Sequence, residues 1–218
     1  MFFPYGETET AYLAARDKRL AAAMAQIGQI ERAVNPDLFA ALINAIIGQQ
    51  ISTKAQATIW ARFQTAFAPL TATRIAALSA EDIQRCGVSM RKAGYIKSIA
   101  ETVASGTLDL SALQGLPDGE VCTQLSALNG IGVWTAEMLM LFSMQRQDIL
   151  SYGDLAIRRG LRMLYRHKAI TPTLFTKYKR RYAPYASVAS LYLWAIAGGA
   201  CGLSDPAAGN ALKGKGKA

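Results

Sequence analysis

Residues 125–139 read Leu125-Ser-Ala-Leu-Asn-Gly-Ile-Gly-Val-Trp-Thr-Ala-Glu-Met-Leu139, and the glycines near their middle decide what the rest of the chain must be. Upstream, Val121, Leu125 and Leu128 recur at helical spacing, and a second helical pattern runs on through Phe142. Two helices therefore meet at Asn129-Gly-Ile-Gly132. Gly130 and Gly132 allow backbone dihedrals and close approaches that a β-carbon would block, while Ile131 between them anchors the turn in a core. The helix that follows offers its first N–H groups to a phosphate. A lone Gly-x-Gly also occurs in ordinary turns between helices. The longer run Leu-x-Gly-Ile-Gly-x-Trp-Thr-Ala is far narrower, and it marks Gly130, Gly132, Val133 and Thr135 as phosphate-binding candidates.

Outward from this hairpin the same periodicity covers the chain. Leu13, Leu20, Met24 and Ile27 read as one helical face, as do Leu38, Leu42 and Ile46, then Ala55, Ile59 and Phe63, then Ile96, Ile99 and Val103. No run alternates with period two. Asp37 after Pro36 opens a helix, Ser79 with Asp82 forms a capping box, and Gly106 ends the helix that begins near Ser89. The expectation is an all-α protein of about ten short helices. Tyr182 to Ser204 carries no charge, but Pro184 and Gly198-Gly199 interrupt it, so it reads as a buried final helix rather than a membrane span.

With 218 residues, 51% of them hydrophobic, the chain can bury a core, and its formal charge of +9 favours a polyanionic partner. Cys86, Cys122 and Cys201 are odd in number and lack metal-ligand spacing, and one histidine, His167, argues against a zinc site or a His-dependent triad. Reduced thiols and the lack of a secretory pattern at Met1-Phe-Phe-Pro point to the cytoplasm, on the nucleoid if the chain is bacterial, with no membrane partner; a monomer is the expectation, though the sequence does not fix the oligomeric state. Lys213-Gly-Lys-Gly-Lys-Ala218 reads as a disordered basic tail.

Three further segments carry a resemblance: Ile46-Ile-Gly-Gln-Gln-Ile-Ser52, Gly87-Val-Ser-Met-Arg-Lys-Ala-Gly-Tyr-Ile96, and Pro184-Tyr-Ala-Ser-Val-Ala-Ser-Leu-Tyr-Leu-Trp194. With the hairpin, their order and spacing resemble the helix-hairpin-helix DNA glycosylase superfamily, and within it the 3-methyladenine-DNA glycosylase II branch. The resemblance implies a single catalytic unit over 1–218 with two helical lobes and the lesion-binding cleft between them. Residues 38–146 would form the central lobe, and 1–37 with 147–218 the second. Some relatives add an N-terminal β-rich domain, and this chain reads as the minimal catalytic unit. Double-stranded DNA carrying damaged bases is the implied partner, with no cofactor beyond a structural Na⁺ or K⁺ held by the backbone carbonyls of Ser126, Leu128 and Ile131.

Asp154, in Ser151-Tyr-Gly-Asp-Leu-Ala-Ile-Arg-Arg159, falls where the family keeps its catalytic carboxylate. Read from its neighbours alone it is a helix N-cap, and both roles can coexist. Asp148 is the nearest rival carboxylate and reads as a loop residue. Cleaving a base from its sugar builds positive charge on the deoxyribose, which a fixed anion stabilises. Bifunctional relatives place a Schiff-base lysine just after the hairpin, where this chain has Trp134, so the resemblance implies hydrolysis without strand cleavage. The iron–sulfur cluster of other relatives needs four spaced cysteines, which this sequence lacks.

Reaching a stacked base requires flipping it out, and Gln50 matches the family's wedge position, with Gln49 beside it. Trp134, Tyr152 and Tyr185 are the candidate pocket aromatics, and Trp60 and Trp194 read as packing. Arg91 and Lys92, with Lys97, form a basic cluster suited to phosphates or to a solvated face. Arg158 and Arg159 could pair with carboxylates or with phosphates. The expected reaction is excision of alkylated purines. Two alternatives stay open: a glycosylase for uracil, mismatched thymine or oxidised purine, and a non-catalytic helix-hairpin-helix DNA-binding module.

Overall fold

The computed structural model describes residues 1–208, so the basic tail from Lys213 lies outside the described residues. Among them are twelve α-helices and one 3-10 turn, and the sole extended pairing is an isolated bridge between Phe2 and Ala33. The chain divides into two compact units, one formed by Asn35–Met144 and the other by Met1–Val34 together with the chain from Gln145 onward.

The first unit runs from α3 (Leu38–Gly48) through α4 (Thr53–Phe67), α5 (Ala72–Ala76), α6 (Ala80–Gln84), α7 (Met90–Ala104) and α8 (Asp118–Ser126) to α9 (Val133–Phe142). Its core is built around α3, whose Leu42, Ile43, Ile46 and Ile47 are fully buried against α4, α7 and α9. The local start signals act as read: Asp37 caps α3 by accepting the Ala40 N–H, Ser79 and Asp82 close a capping box on α6, and Gly106 follows α7 with φ +76°. The periodicity had passed over two five-residue helices, α5 and α6, which are too short to show a face of their own.

In the second unit α1 (Glu7–Arg16), α2 (Lys18–Ile27), α10 (Leu155–Tyr165) and α11 (Pro172–Tyr182) surround α12 (Ala186–Ala197), which is buried over most of its length. α12 packs most tightly on α10: a β-carbon on Gly160 would stand 2.3 Å from the Leu193 carbonyl oxygen. No helix among the described residues is long and apolar enough to cross a membrane. The single face read from Leu13 to Ile27 needs correction, because the chain breaks between them at Asp17 (φ −146°, ψ 99°). The Asp17 carboxylate accepts the Arg19 and Leu20 N–H groups, the Tyr165 hydroxyl at 2.6 Å and the Arg181 guanidinium at 2.6 Å. A carboxylate with four donors is worth more buried as a cap than the helix gains by continuing through it.

Candidate nucleic-acid interface and catalytic carboxylate

The hairpin forms where two helices were expected to meet. α8 ends at Ser126, the Ile131 N–H donates to the Leu128 carbonyl at 3.0 Å, and Ile131 is buried. The two glycines do different work. Gly130 has φ +84°, and a β-carbon there would lie 2.5 Å from the Tyr95 ring and 2.9 Å from Ile46. Gly132 is extended (φ −86°, ψ 169°) with open space where its β-carbon would be, which corrects the reading that both glycines answer to the fold. What Gly132 leaves bare is the start of α9. Helices α2, α3, α4, α7, α10 and α11 each begin under an Asp, Ser or Thr whose side chain accepts a first-turn N–H; α9 begins at Gly132 with no such acceptor, as α1, α8 and α12 begin without one at Gly6, Pro117 and Tyr185. Val133 and Trp134, the first residues of α9, are 58% and 49% exposed, and Thr135 is half-buried. An N-terminus open to solvent, carrying the positive end of the helix dipole, is suited to an anion.

Beside it, α3 stops at Gln49, whose side-chain amide donates to the Gly130 carbonyl at 2.7 Å. Gln50 follows with φ +56° and is exposed, so the wedge candidate sits at a strained point of backbone, clamped on its N-terminal side to the hairpin. The basic cluster is rearranged relative to expectation. Lys92 donates to the carbonyls of Ile47 and Gln49 at 2.9 and 2.6 Å, tying off the end of α3, and burial followed by the nearby Arg91 charge lowers its pKa. Lys97 does the same for α5 through the Ala76 and Leu78 carbonyls, at 2.9 and 2.8 Å, and pairs with Glu101. Both lysines serve orphan carbonyls at helix C-termini, and of the three only Arg91 is fully exposed.

The carbonyls of Ser126, Leu128 and Ile131 lie at the C-terminal end of α8 and in the turn after it. Leu128 already accepts one N–H and keeps a second lone pair. An all-oxygen donor set at the negative end of a helix fits a hard cation of low charge. Among the described residues no cluster of His, Cys, Asp and Glu could hold a metal ion.

In the other unit Asp154 is the N-cap of α10, 7% exposed, with Oδ1 accepting the Ile157 N–H at 2.8 Å. The loop that delivers it is pinned to α12 by two buried serines. Ser187 donates to the Arg146 carbonyl at 2.5 Å and accepts the Ile149 N–H at 2.9 Å, and Ser190 donates to the Ile149 carbonyl at 2.9 Å. Asp148 accepts the Ala186 N–H at 3.3 Å, so the rival carboxylate is half-buried and helps cap α12. Sequence reasoning missed this pair of serines. Its one signal was two hydroxyls three residues apart on an otherwise apolar helix.

Tyr152, 36% exposed, stands edge-on to Phe175 and under the Arg158 guanidinium at 4.9 Å. Tyr185 is half-buried, edge-on to Tyr12 at 5.1 Å. Trp60 stacks on Phe63 and is half-buried, as is Trp194. Arg159 lies 3.8 Å from Asp205, which Arg162 grips at 2.6 Å, so Arg159 has a carboxylate partner.

Comparisons with known proteins bear on the family and on the helical fold. The model for the HhH-GPD superfamily base excision DNA repair protein matches residues 43–184. The chain belongs to this family. The HhH-GPD match takes in the hairpin, the Gln49-Gln50 turn and Asp154, and ends at Pro184, before the two pinning serines. This HhH-GPD protein is 35% identical over 158 residues to DNA-3-methyladenine glycosylase 1 of Schizosaccharomyces pombe, covering 70% of this chain and 69% of that one. Its fold matches the crystal structure of a DNA-3-methyladenine glycosidase from Bacillus halodurans with a TM-score of 0.82 and 36% identity, over 91% of this chain and 93% of the other. A Schizosaccharomyces pombe 3-methyladenine DNA glycosylase in complex with abasic DNA matches with a TM-score of 0.73 and 31% identity, over 87% and 96%.

Proposed function

We propose that this HhH-GPD protein is a monofunctional glycosylase that hydrolyses the bond between deoxyribose and an alkylated purine in duplex DNA. The observation that carries the reading is Asp154: a buried carboxylate in the family's catalytic segment, fixed at a helix start by a loop that α12 holds in place. The similar proteins named above, DNA-3-methyladenine glycosylases, one of them bound to abasic DNA, support the substrate class.

Departure of the base leaves oxocarbenium character on the sugar, and an anion already held in position stabilises that charge more than it stabilises the neutral sugar. The Ile157 N–H holds one carboxylate oxygen and restricts the rotation of the side chain. The same carboxylate orients the attacking water and receives its proton as the water oxygen bonds to the anomeric carbon and the base leaves with the bond pair. Alkylation at purine N3 or N7 gives the base a positive charge, so it departs without a strong general acid. The uncapped start of α9, with Gly130, Gly132, Val133 and Thr135, holds a backbone phosphate, and Arg91 takes another. A monovalent cation on the carbonyls of Ser126, Leu128 and Ile131 would add positive charge beside that phosphate. In the unit of the hairpin, Gln50 is the residue to fill the space left in the stack and the exposed Trp134 ring is one to stack on the electron-poor purine; in the unit of Asp154, Tyr152 and Tyr185 are the candidate aromatics for the base.

The test is a panel of duplexes containing alkylated purine, hypoxanthine, uracil, a mismatched thymine and oxidised guanine, given to the wild type and to Asp154→Asn. Release of methylated purine with strand breaks only after alkaline treatment is expected, and a loss of at least ~100-fold in Asp154→Asn with duplex binding kept. Near-normal turnover by the variant, or a borohydride-trapped covalent adduct, would refute the reading.

A further inference from the structure

One recess of the unit that contains Asp154 plays no part in the reaction above. With a volume of about 520 Å³, it is lined by Arg16, Lys18, Arg19, Arg181 and His167 around the rings of Tyr165 and Tyr178, with Asp17 at its base. We propose that this recess is a second phosphate-binding site, separate from the helix-hairpin-helix grip.

Four permanent cations face one carboxylate there, and that carboxylate is spent: it takes two backbone N–H groups, the Tyr165 hydroxyl and Arg181. The excess positive charge is therefore uncompensated within the recess. The guanidiniums are also positioned. Arg16 lies over Tyr12 at 4.3 Å, Arg19 over Tyr165 at 5.9 Å and Arg181 over Tyr178 at 5.3 Å. Lying over a ring limits the freedom of a guanidinium while leaving donor edges for a tetrahedral anion, which such forks suit better than ammonium groups do. The ring floor is rigid. Tyr165 and Tyr178 stack at 4.3 Å, Tyr165 and Tyr182 share a hydroxyl hydrogen bond of 2.6 Å, and His167 Nε2 meets the Tyr178 hydroxyl at 2.7 Å. The start of α2 contributes no free donor to this site, because Asp17 occupies its Arg19 and Leu20 N–H groups; the anion is held by side chains.

Tyr165 ends α10 and Asp154 caps its start, so about 15 Å of helix separates the recess from the catalytic carboxylate. That spacing suits a phosphate of the nucleic-acid backbone away from the reacting nucleotide, and the same chemistry would accept free phosphate.

The experiment uses the full chain and a triple variant, Arg16→Gln, Lys18→Gln and Arg19→Gln. It spares Arg181, which Asp17 needs. Substitution of three other exposed cations, Lys54, Arg74 and Lys168, is the control for overall charge. Inorganic phosphate is titrated while the His167 side-chain resonances are followed, and affinity for an undamaged duplex is measured by anisotropy. A saturable shift of His167 in the wild type that vanishes in the triple variant, with duplex affinity at least ~5-fold below that of the control, assigns the site to the DNA backbone. The same loss of shift with duplex affinity equal to the control assigns it to free phosphate. No saturable shift together with duplex affinity equal to the control overturns the site. None of these readouts involves base release, so they stand apart from the Asp154 test.

Discussion

Asp17 illustrates how much of this fold a single carboxylate can hold. Burial works to raise its pKa, but hydrogen bonds from Tyr165, the Leu20 N–H and Arg181, and the Arg181 charge, outweigh it and bring it below the ordinary value of 3.8. A folded-state pKa below the unfolded one means that the stabilisation is complete above the unfolded value and is lost as pH falls through the folded value. Asp17→Asn should therefore cost about 3 kcal/mol near neutrality, by leaving Arg181 without its partner, and the gap from wild type should narrow only below about pH 4. Urea unfolding at several pH values measures this, and a gap that does not change down to pH 2.5 would contradict it. Ser187 carries a similar burden for the loop that leads to Asp154. Ser187→Ala strands the Ile149 N–H and the Arg146 carbonyl, with an expected loss of about 1–3 kcal/mol and a drop in base release greater than in duplex binding. Equal losses in both would mean that the serine matters only to the fold.

Among the elements, the hairpin separates what the fold requires from what a ligand requires. Gly130→Ala meets Tyr95 and Ile46 at under 3 Å and forces a β-carbon onto φ +84°, so it should lower stability by about 2 kcal/mol or more. Gly132→Ser has room and places a good N-cap at the head of α9, so thermal stability should hold or rise. The new hydroxyl would then satisfy N–H groups at the start of α9, and if these take a phosphate, as proposed, duplex affinity should fall by about 10-fold. Thermal denaturation beside anisotropy separates the two outcomes; a Gly132→Ser protein with full affinity would remove the anion from this helix start. Elements of this kind were legible because their signals are local: a cap and the N–H it serves lie three residues apart, as at Asp37, Ser79 and Ser89. Lys92 and Lys97 were not. Their carbonyl partners lie 19 to 45 residues away, and nothing along the chain tells a lysine that ties off a distant helix from one that faces solvent. The break at Asp17 was hidden for the same reason, since the donors that justify it include Tyr165 and Arg181.

At the scale of the whole molecule, the charge of +9 favours a polyanionic partner, yet not every cation is available to one. Lys92 and Lys97 are turned onto carbonyls, Arg162 onto Asp205 and Arg181 onto Asp17. Family membership was carried by the glycine hairpin and the Asp154 segment, which charge could not supply; the distribution of the remaining cations needed coordinates. Salt dependence reads that distribution directly, because each neutralised phosphate releases condensed counterions and adds roughly 0.9 to the slope of log affinity against log salt. For about two to four phosphates, duplex affinity should fall on the order of 10- to 150-fold between 50 and 200 mM salt. Arg91→Gln should lower the slope by about 1, since Arg91 is exposed at the first turn of α7. Lys92→Gln should leave the slope unchanged while lowering stability, because its ammonium already serves the Ile47 and Gln49 carbonyls. A reduced slope in the Lys92 variant at unchanged stability would mean that this lysine leaves the end of α3 to meet DNA, and the account of the basic cluster would have to be reversed.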